Sequence, residues 1–193
     1  MAKNELGEIT SRSGQLNVWN YLIDTTLTVV EGEALYELSC GVPDSAHSTN
    51  VRWTQGTRPL PFSPSIIPFG ARLLFTTVQS AHQGEYTCTY NGSTFNVFLN
   101  VLVAPTIINQ TPSLSLSRYD PLALYCQTTG NPKPLVVWFL NGEPVDGRSV
   151  QATPLATGSL YLHPPLPPGD TIATCEASNH LGVVRSTTVI TAS

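Results

Sequence analysis

Four cysteines, at positions 40, 88, 126 and 175, hold the clearest capacity for covalent chemistry in this chain. They never occur as C-x-x-C, so zinc-ribbon and thioredoxin-type spacings are absent and disulfides are the expected use. Of the three possible pairings, Cys40 with Cys88 and Cys126 with Cys175 closes two loops of nearly equal span, 48 and 49 residues, as duplicated units would. That pairing implies an oxidising compartment. His47, His82, His163 and His180 never lie at zinc-site spacing, and each reads as a loop residue. No G-x-S-x-G, H-E-x-x-H, P-loop, dinucleotide fingerprint or kinase loop signature is present, so no catalytic site, metal or cofactor is expected. Two glycosylation sequons stand at Asn91-Gly92-Ser93 and Asn109-Gln110-Thr111, and a sugar on Asn91 would push binding onto another surface.

The elements that carry these residues follow from composition and period. A length of 193 residues suits two compact units. With 16 prolines, 14 glycines and only 11% charged residues, the chain is rich in turns and poor in long polar helices. The net charge of -4, with nine basic residues scattered singly, offers no cationic stripe for phosphates, which excludes nucleic acid as a partner. The uncharged stretch 86–117 is interrupted by Asn96, Asn100 and Pro105 and alternates in its middle, so it reads as strand, and direct membrane insertion is not expected. Any secretory signal or membrane anchor would lie outside these residues.

Short alternating runs such as Ala34 to Cys40, Tyr86 to Tyr90 and Leu122 to Cys126 bury one face and expose the other. Asn91-Gly92 and Asn141-Gly142 stand between such runs as type I′ hairpin turns. No sustained 3.6-residue period appears, and the chain reads as all-β. Cys40, Trp53 and Cys88 recur as Cys126, Trp138 and Cys175 at offsets agreeing within two residues, which marks an internal repeat. The boundary is expected near Ala104-Pro105, giving units 1–103 and 104–193 with almost no free linker and limited bending.

The Cys-Trp-Cys constellation resembles the immunoglobulin superfamily, in which a buried tryptophan packs on an inter-sheet disulfide. In the first unit Val30-Glu31-Gly32, Cys40, Trp53, the run Leu73 to Val78 and Gly84-Glu85-Tyr86-Thr87-Cys88 carry the likeness, and Tyr86 looks like the tyrosine-corner residue. In the second, Gly130-Asn131-Pro132-Lys133-Pro134, Trp138 and Cys175 to Gly182 look like the intermediate (I-set) subclass of receptors and adhesion molecules. Two positions depart from the pattern: His82 replaces the acidic residue before the corner, and Ala173 replaces the second corner tyrosine. Pro164, Pro165, Pro167 and Pro168 are expected to stiffen the turn there. The resemblance implies two tandem immunoglobulin-like β-sandwiches with Trp53 and Trp138 in their cores.

The uncharged stretch Pro59 to Phe69, with Leu60, Phe62, Ile66, Ile67 and Phe69, falls at the C′ and D edge of such a fold and is the candidate interaction surface. The competing reading points its isoleucines and Phe69 into the core and leaves the prolines to guard an edge strand. The run Leu16 to Ile23 is read as a first strand or as a docking arm. What the resemblance implies is an extracellular module of a single-pass cell-surface receptor, the receptor tyrosine kinase type included, with any kinase outside these residues. The alternatives are a homophilic adhesion molecule or an intracellular structural array. The expected partner is a protein ligand or a second copy of the chain, in a homodimer.

Overall fold

The computed structural model describes residues 25–40, 42, 50–60 and 63–193. The run Leu16 to Ile23, His47 and Phe62 lie outside them. Strands dominate, and their order follows the punctuation of the sequence. The first unit contains β1 (Thr25–Val30), β2 (Ala34–Ser39), β3 (Val51–Gln55), β4 (Arg58–Pro59), β5 (Ile66–Phe69), β6 (Arg72–Thr77), a 3₁₀ turn at Ser80–His82, β7 (Gly84–Tyr90) and β8 (Ser93–Gln110). After it come β9 (Leu114–Leu116), β10 (Leu122–Leu124), β11 (Cys126–Asn131), β12 (Leu135–Leu140), β13 (Glu143–Pro144), β14 (Ala152–Pro154), β15 (Leu160–Leu162), β16 (Gly169–Asn179) and β17 (Gly182–Ala192).

Two sheets face each other across each core. In the first unit the order β1-β8-β7-β3-β4 opposes β2-β6-β5; in the second, β13-β12-β16-β17-β9 opposes β10-β15-β14. Neighbours pair antiparallel except for two parallel pairs, β1 with β8 and β9 with β17. The hairpins β7–β8 and β12–β13 turn on Asn91-Gly92 and Asn141-Gly142, where all four residues take positive φ, as a type I′ turn requires.

Period-two alternation builds the cores. Leu73 and Phe75 of β6, Leu38 of β2, Tyr86 and Cys88 of β7 and Leu99 and Val101 of β8 share one cluster, with Trp53 packed among them. Trp138, Leu140, Leu124, Leu160, Leu162, Ala173, Cys175 and Ile190 form the other. Each large apolar side chain removed from water here is worth about 1.5–3 kcal/mol, so these inward positions fix the register of every strand. Disulfides join Cys40 to Cys88 and Cys126 to Cys175 within the two cores, and Cys88 and Cys175 stand opposite Trp53 and Trp138 on the neighbouring strands. The indole nitrogens are satisfied as well: Trp53 donates to the carbonyl of Gly70 at 3.2 Å and Trp138 to that of Gly158 at 2.8 Å.

Strand β8 passes Ala104-Pro105 without a loop. Its first half pairs with β1 and β7, and its second half pairs with β11. The two cores are thus threaded on one continuous backbone segment.

Candidate interaction surfaces

The corner before Cys88 is the most constrained polar site. Tyr86 is fully buried, its ring edge-on to Phe75 at 5.6 Å, and its hydroxyl donates to the carbonyl of His82 at 2.8 Å. Burial pushes its phenol up to about 12, so the donor keeps its proton at any ordinary pH. His82 itself is buried, with its ring 5.3 Å from Phe75. Its Nδ1 accepts the Gln79 backbone N–H at 3.0 Å, and its Nε2 lies 3.1 Å from Ser65 Oγ. Ser65 Oγ in turn lies 2.7 Å from Ser63 Oγ.

A serine hydroxyl at hydrogen-bond distance from a histidine is the starting geometry for nucleophilic catalysis. The tautomer rules that chemistry out. A backbone N–H is always a donor, so Nδ1 is unprotonated and Nε2 carries the hydrogen, which it donates to Ser65. An Nε2–H has no lone pair with which to take the serine proton, so the pair is an anchor. The loop setting expected for His82 gives way to burial, with its ring against Phe75 of β6 and its carbonyl held by the Tyr86 hydroxyl of β7. No group of three or more His, Cys, Asp or Glu is placed to hold a metal among the described residues.

In the second unit, where Ala173 stands at the corner position, the proline-rich segment supplies a buried side chain of its own. Leu166 enters the core, and its N–H donates to the Arg118 carbonyl at 2.8 Å.

The stretch Pro59 to Phe69 divides by the pleat of β5. Ile66 is 5% exposed and belongs to the core, and half-buried Leu60 packs on the same core. Ile66 is corrected from an interaction candidate to a packing residue, because alternate positions of β5 must face inward, while Leu60 lies in the loop after β4. Ile67 and Phe69 face outward, at 44% and 79% exposure. Leu74 of β6, opposite Ile67, and exposed Leu35 of β2 lie on the same face, beside an ion pair of Glu37 and Arg72 at 3.3 Å.

The free edge of β5 is chemically incomplete. The Thr76 N–H donates to the Ser65 carbonyl, so ladder alternation turns Ile67 and Phe69 toward β6 and turns Ile66 and Pro68 toward the open edge. The Ile66 N–H is used by the Ser63 carbonyl, and Pro68 has none. An incoming strand would find no backbone donor there. The same device recurs: β4, β13 and β14, each at the end of its sheet, carry Pro59, Pro144 and Pro154.

A second polar cluster lies between the two cores. Asn131 Nδ2 approaches Gln83 Oε1 at 3.0 Å, Asn100 Oδ1 at 2.9 Å and the Val101 carbonyl at 2.7 Å. Gln83 Oε1 also accepts the Val101 N–H at 3.2 Å. Asn179 Nδ2 donates to the carbonyls of Val103 at 2.9 Å and Pro132 at 3.0 Å, while its Oδ1 accepts the Leu181 N–H. A Cβ on Gly130 would stand 3.0 Å from the Pro134 ring and 3.3 Å from the Ala104 carbonyl, so only glycine lets the two backbones approach this closely. Sequence reading took Gly130 to Pro134 and Cys175 to Gly182 as subclass signals and did not foresee that their asparagines clasp the first unit. The signal was present as an asparagine in each of two stretches, but only the fold brings them together. A shallow cavity of about 310 Å³ opens at this junction, lined in part by Glu31, Ser80, Gln83 and Asn131, where Gln83 Oε1 and Asn131 Nδ2 already spend their hydrogen bonds on the protein.

Asn91 sits exposed at the β7–β8 turn and Asn109 exposed on β8 opposite Gln127. Both side chains are open to solvent on faces other than that of Ile67 and Phe69.

Against known proteins, no family model matches. The chain is 30% identical over 196 residues to human hemicentin-1, covering 95% of this chain and 3% of that protein. It is 32% identical over 126 residues to the neural cell adhesion molecule L1 of Takifugu rubripes, covering 62% of this chain and 10% of the relative. It therefore spans a small fraction of either relative. Among solved structures, a chain of the complex of Dpr11 IG1 with DIP-gamma superposes with a TM-score of 0.66 at 20% identity, covering 90% of this chain and 98% of the other.

Proposed function

The chain is a tandem pair of immunoglobulin-like domains of the immunoglobulin superfamily, and from that premise we propose that it is an extracellular recognition module of a cell-surface receptor or adhesion protein. Its expected partner is a protein, first of all a second copy of itself. Units 1–103 and 104–193 form the module, and the association surface is the outward face of Ile67 and Phe69, flanked by Leu35 and Leu74. One observation carries this reading: an aromatic ring 79% exposed beside an exposed isoleucine, on a strand whose edge offers no backbone donor. Association there must use side chains, which confer specificity, because strand addition is blocked. The similarity to an adhesion molecule, L1, supports the extracellular setting, as do the two disulfides. A receptor of the tyrosine kinase type is a finer form of the same reading, in which extracellular pairing would bring kinases together outside these residues; a homophilic adhesion molecule is the other.

Sedimentation equilibrium over a wide concentration range tests the surface. A reversible dimer is expected for the wild type, and Ile67→Asp with Phe69→Asp is expected to weaken it by at least about tenfold, since a charge buried unpaired in an interface costs more than 1.4 kcal/mol. Dimerisation unaffected by the double variant would place the contact elsewhere. A strict monomer would point to a different protein as ligand.

A further inference from the structure

Resting on the reading of Ile67 and Phe69 as an association surface, we propose that His82 is an acid-operated latch, whose protonation releases the Ser63–Ser65 turn that anchors β5 and so loosens that surface. The neutral ring bridges two segments distant in sequence: Nδ1 holds the Gln79 N–H of the 3₁₀ turn, and Nε2–H holds Ser65, the residue before β5. Ser65 is tied further to Ser63 through both its hydroxyl and its backbone N–H.

A second proton can go only to Nδ1. There it converts the one acceptor of the Gln79 N–H into a donor facing a donor at 3.0 Å, and it places a cation against Phe75. The charged and titratable groups on the elements packed around the ring offer no compensation. Tyr86 of β7 spends its hydroxyl on the His82 carbonyl, and Glu85 precedes it on the same strand. Glu31, before β2, accepts the Ser80 N–H at 2.9 Å. On the far side of Phe75, Tyr36 of β2 is held above the ordinary phenol range by burial and then by Glu33, and Glu37 pairs with Arg72. β5 carries no titratable group. None of these makes an ion pair with His82 among the described residues. Two donors face to face and an unpaired cation against Phe75 drive the ring out of its seat, and once it leaves, the bond from Nε2–H to Ser65 is lost.

The sign follows. Burial holds the His82 ring below the ordinary histidine range, so the folded state binds this proton less readily than the unfolded chain does. Stability from the latch is complete above about pH 6.5 and falls as the pH drops through that value.

The test uses the whole chain between about pH 7.5 and about pH 5, a range that brackets the histidine titration. The His82 ring carbon and proton shifts report titration, exchange of the Gln79 and Ser65 amides reports release, and sedimentation equilibrium reports association. His82→Asn places an Oδ1 where it can accept the Gln79 N–H and does not titrate. Expected is amide protection lost in step with His82 titration, with self-association at least about tenfold weaker in acid for the wild type and unchanged for His82→Asn. Wild-type association constant across the range, or lost equally in His82→Asn, overturns the latch and leaves the association surface standing. A wild type monomeric throughout overturns the association surface instead. The latch is then decided by exchange alone: protection that falls with titration supports it, and protection that survives titration overturns it. Should His82→Asn fail to fold, the same wild-type exchange measurement decides.

Discussion

Replacing Asn131 by alanine should unlock the two units from each other while leaving each intact. The side chain offers two N–H hydrogens to three acceptors within 3.0 Å, so it makes two full bonds and shares the third contact. At about 0.5–1.5 kcal/mol per net hydrogen bond, the clasp is worth roughly 1–3 kcal/mol. Water can reach part of the cluster, and Gln83 Oε1 keeps the Val101 N–H, so the lower half of that range applies. About 1.4 kcal/mol is a tenfold change in the ratio of docked to undocked orientations. Residual dipolar couplings read this directly, because a rigid pair shares one alignment tensor and a loosened pair needs two of different magnitude. One tensor is expected for the wild type and for Lys133→Ala, an exposed residue on the same loop, and two are expected for Asn131→Ala. A single shared tensor in Asn131→Ala would refute the clasp and assign the rigidity to continuous β8. Gln83→Ala combined with Asn131→Ala should cost less than the two single changes together, since they share a bond.

Two further outcomes bear on the corner and the disulfides. Tyr86→Phe leaves the His82 carbonyl without its donor in a buried site and should cost about 1–3 kcal/mol, lowering the first unit's thermal transition by about 4–8 °C per kcal/mol while the second unit's stays in place; a calorimetric scan in which both transitions move together would contradict it. Reduction should remove roughly 4 kcal/mol from each unit by the loop-entropy relation for loops of 48 and 49 residues, and the denatured, unreduced chain should show no reactive thiol from these four cysteines.

The framework was readable from residues whose requirements are local or strictly repeated. Asn-Gly between strand-like runs favours a type I′ turn with positive φ at both residues, and period-two alternation places Leu73 and Phe75 on one face of β6. The interaction stretch was only half readable. Its composition marked Pro59 to Phe69 as unusual, but a single shift in pleat decides whether Ile66 or Ile67 meets water, and register is set by β6, a partner the stretch itself does not specify. His82 was legible as a departure and illegible as a buried anchor, because its two partners, Gln79 and Ser65, are brought together by strand pairing. The same holds for Asn131 and Asn179, which reach the first unit across 30 to 76 residues of sequence.

The parallel pairs β1–β8 and β9–β17 have a mechanical consequence. In each unit an early strand lies beside the late strand that leaves toward the carboxyl end, pointing the same way. A pull on the two ends of the chain slides these strands lengthwise, so the rungs of each pair are strained together and do not peel one by one. Six residue pairs share the load in the first unit and three in the second. Traction between two surfaces joined by this module would be carried by backbone hydrogen bonds in shear, passed from one unit to the next along β8, and the shorter clamp of the second unit would yield first.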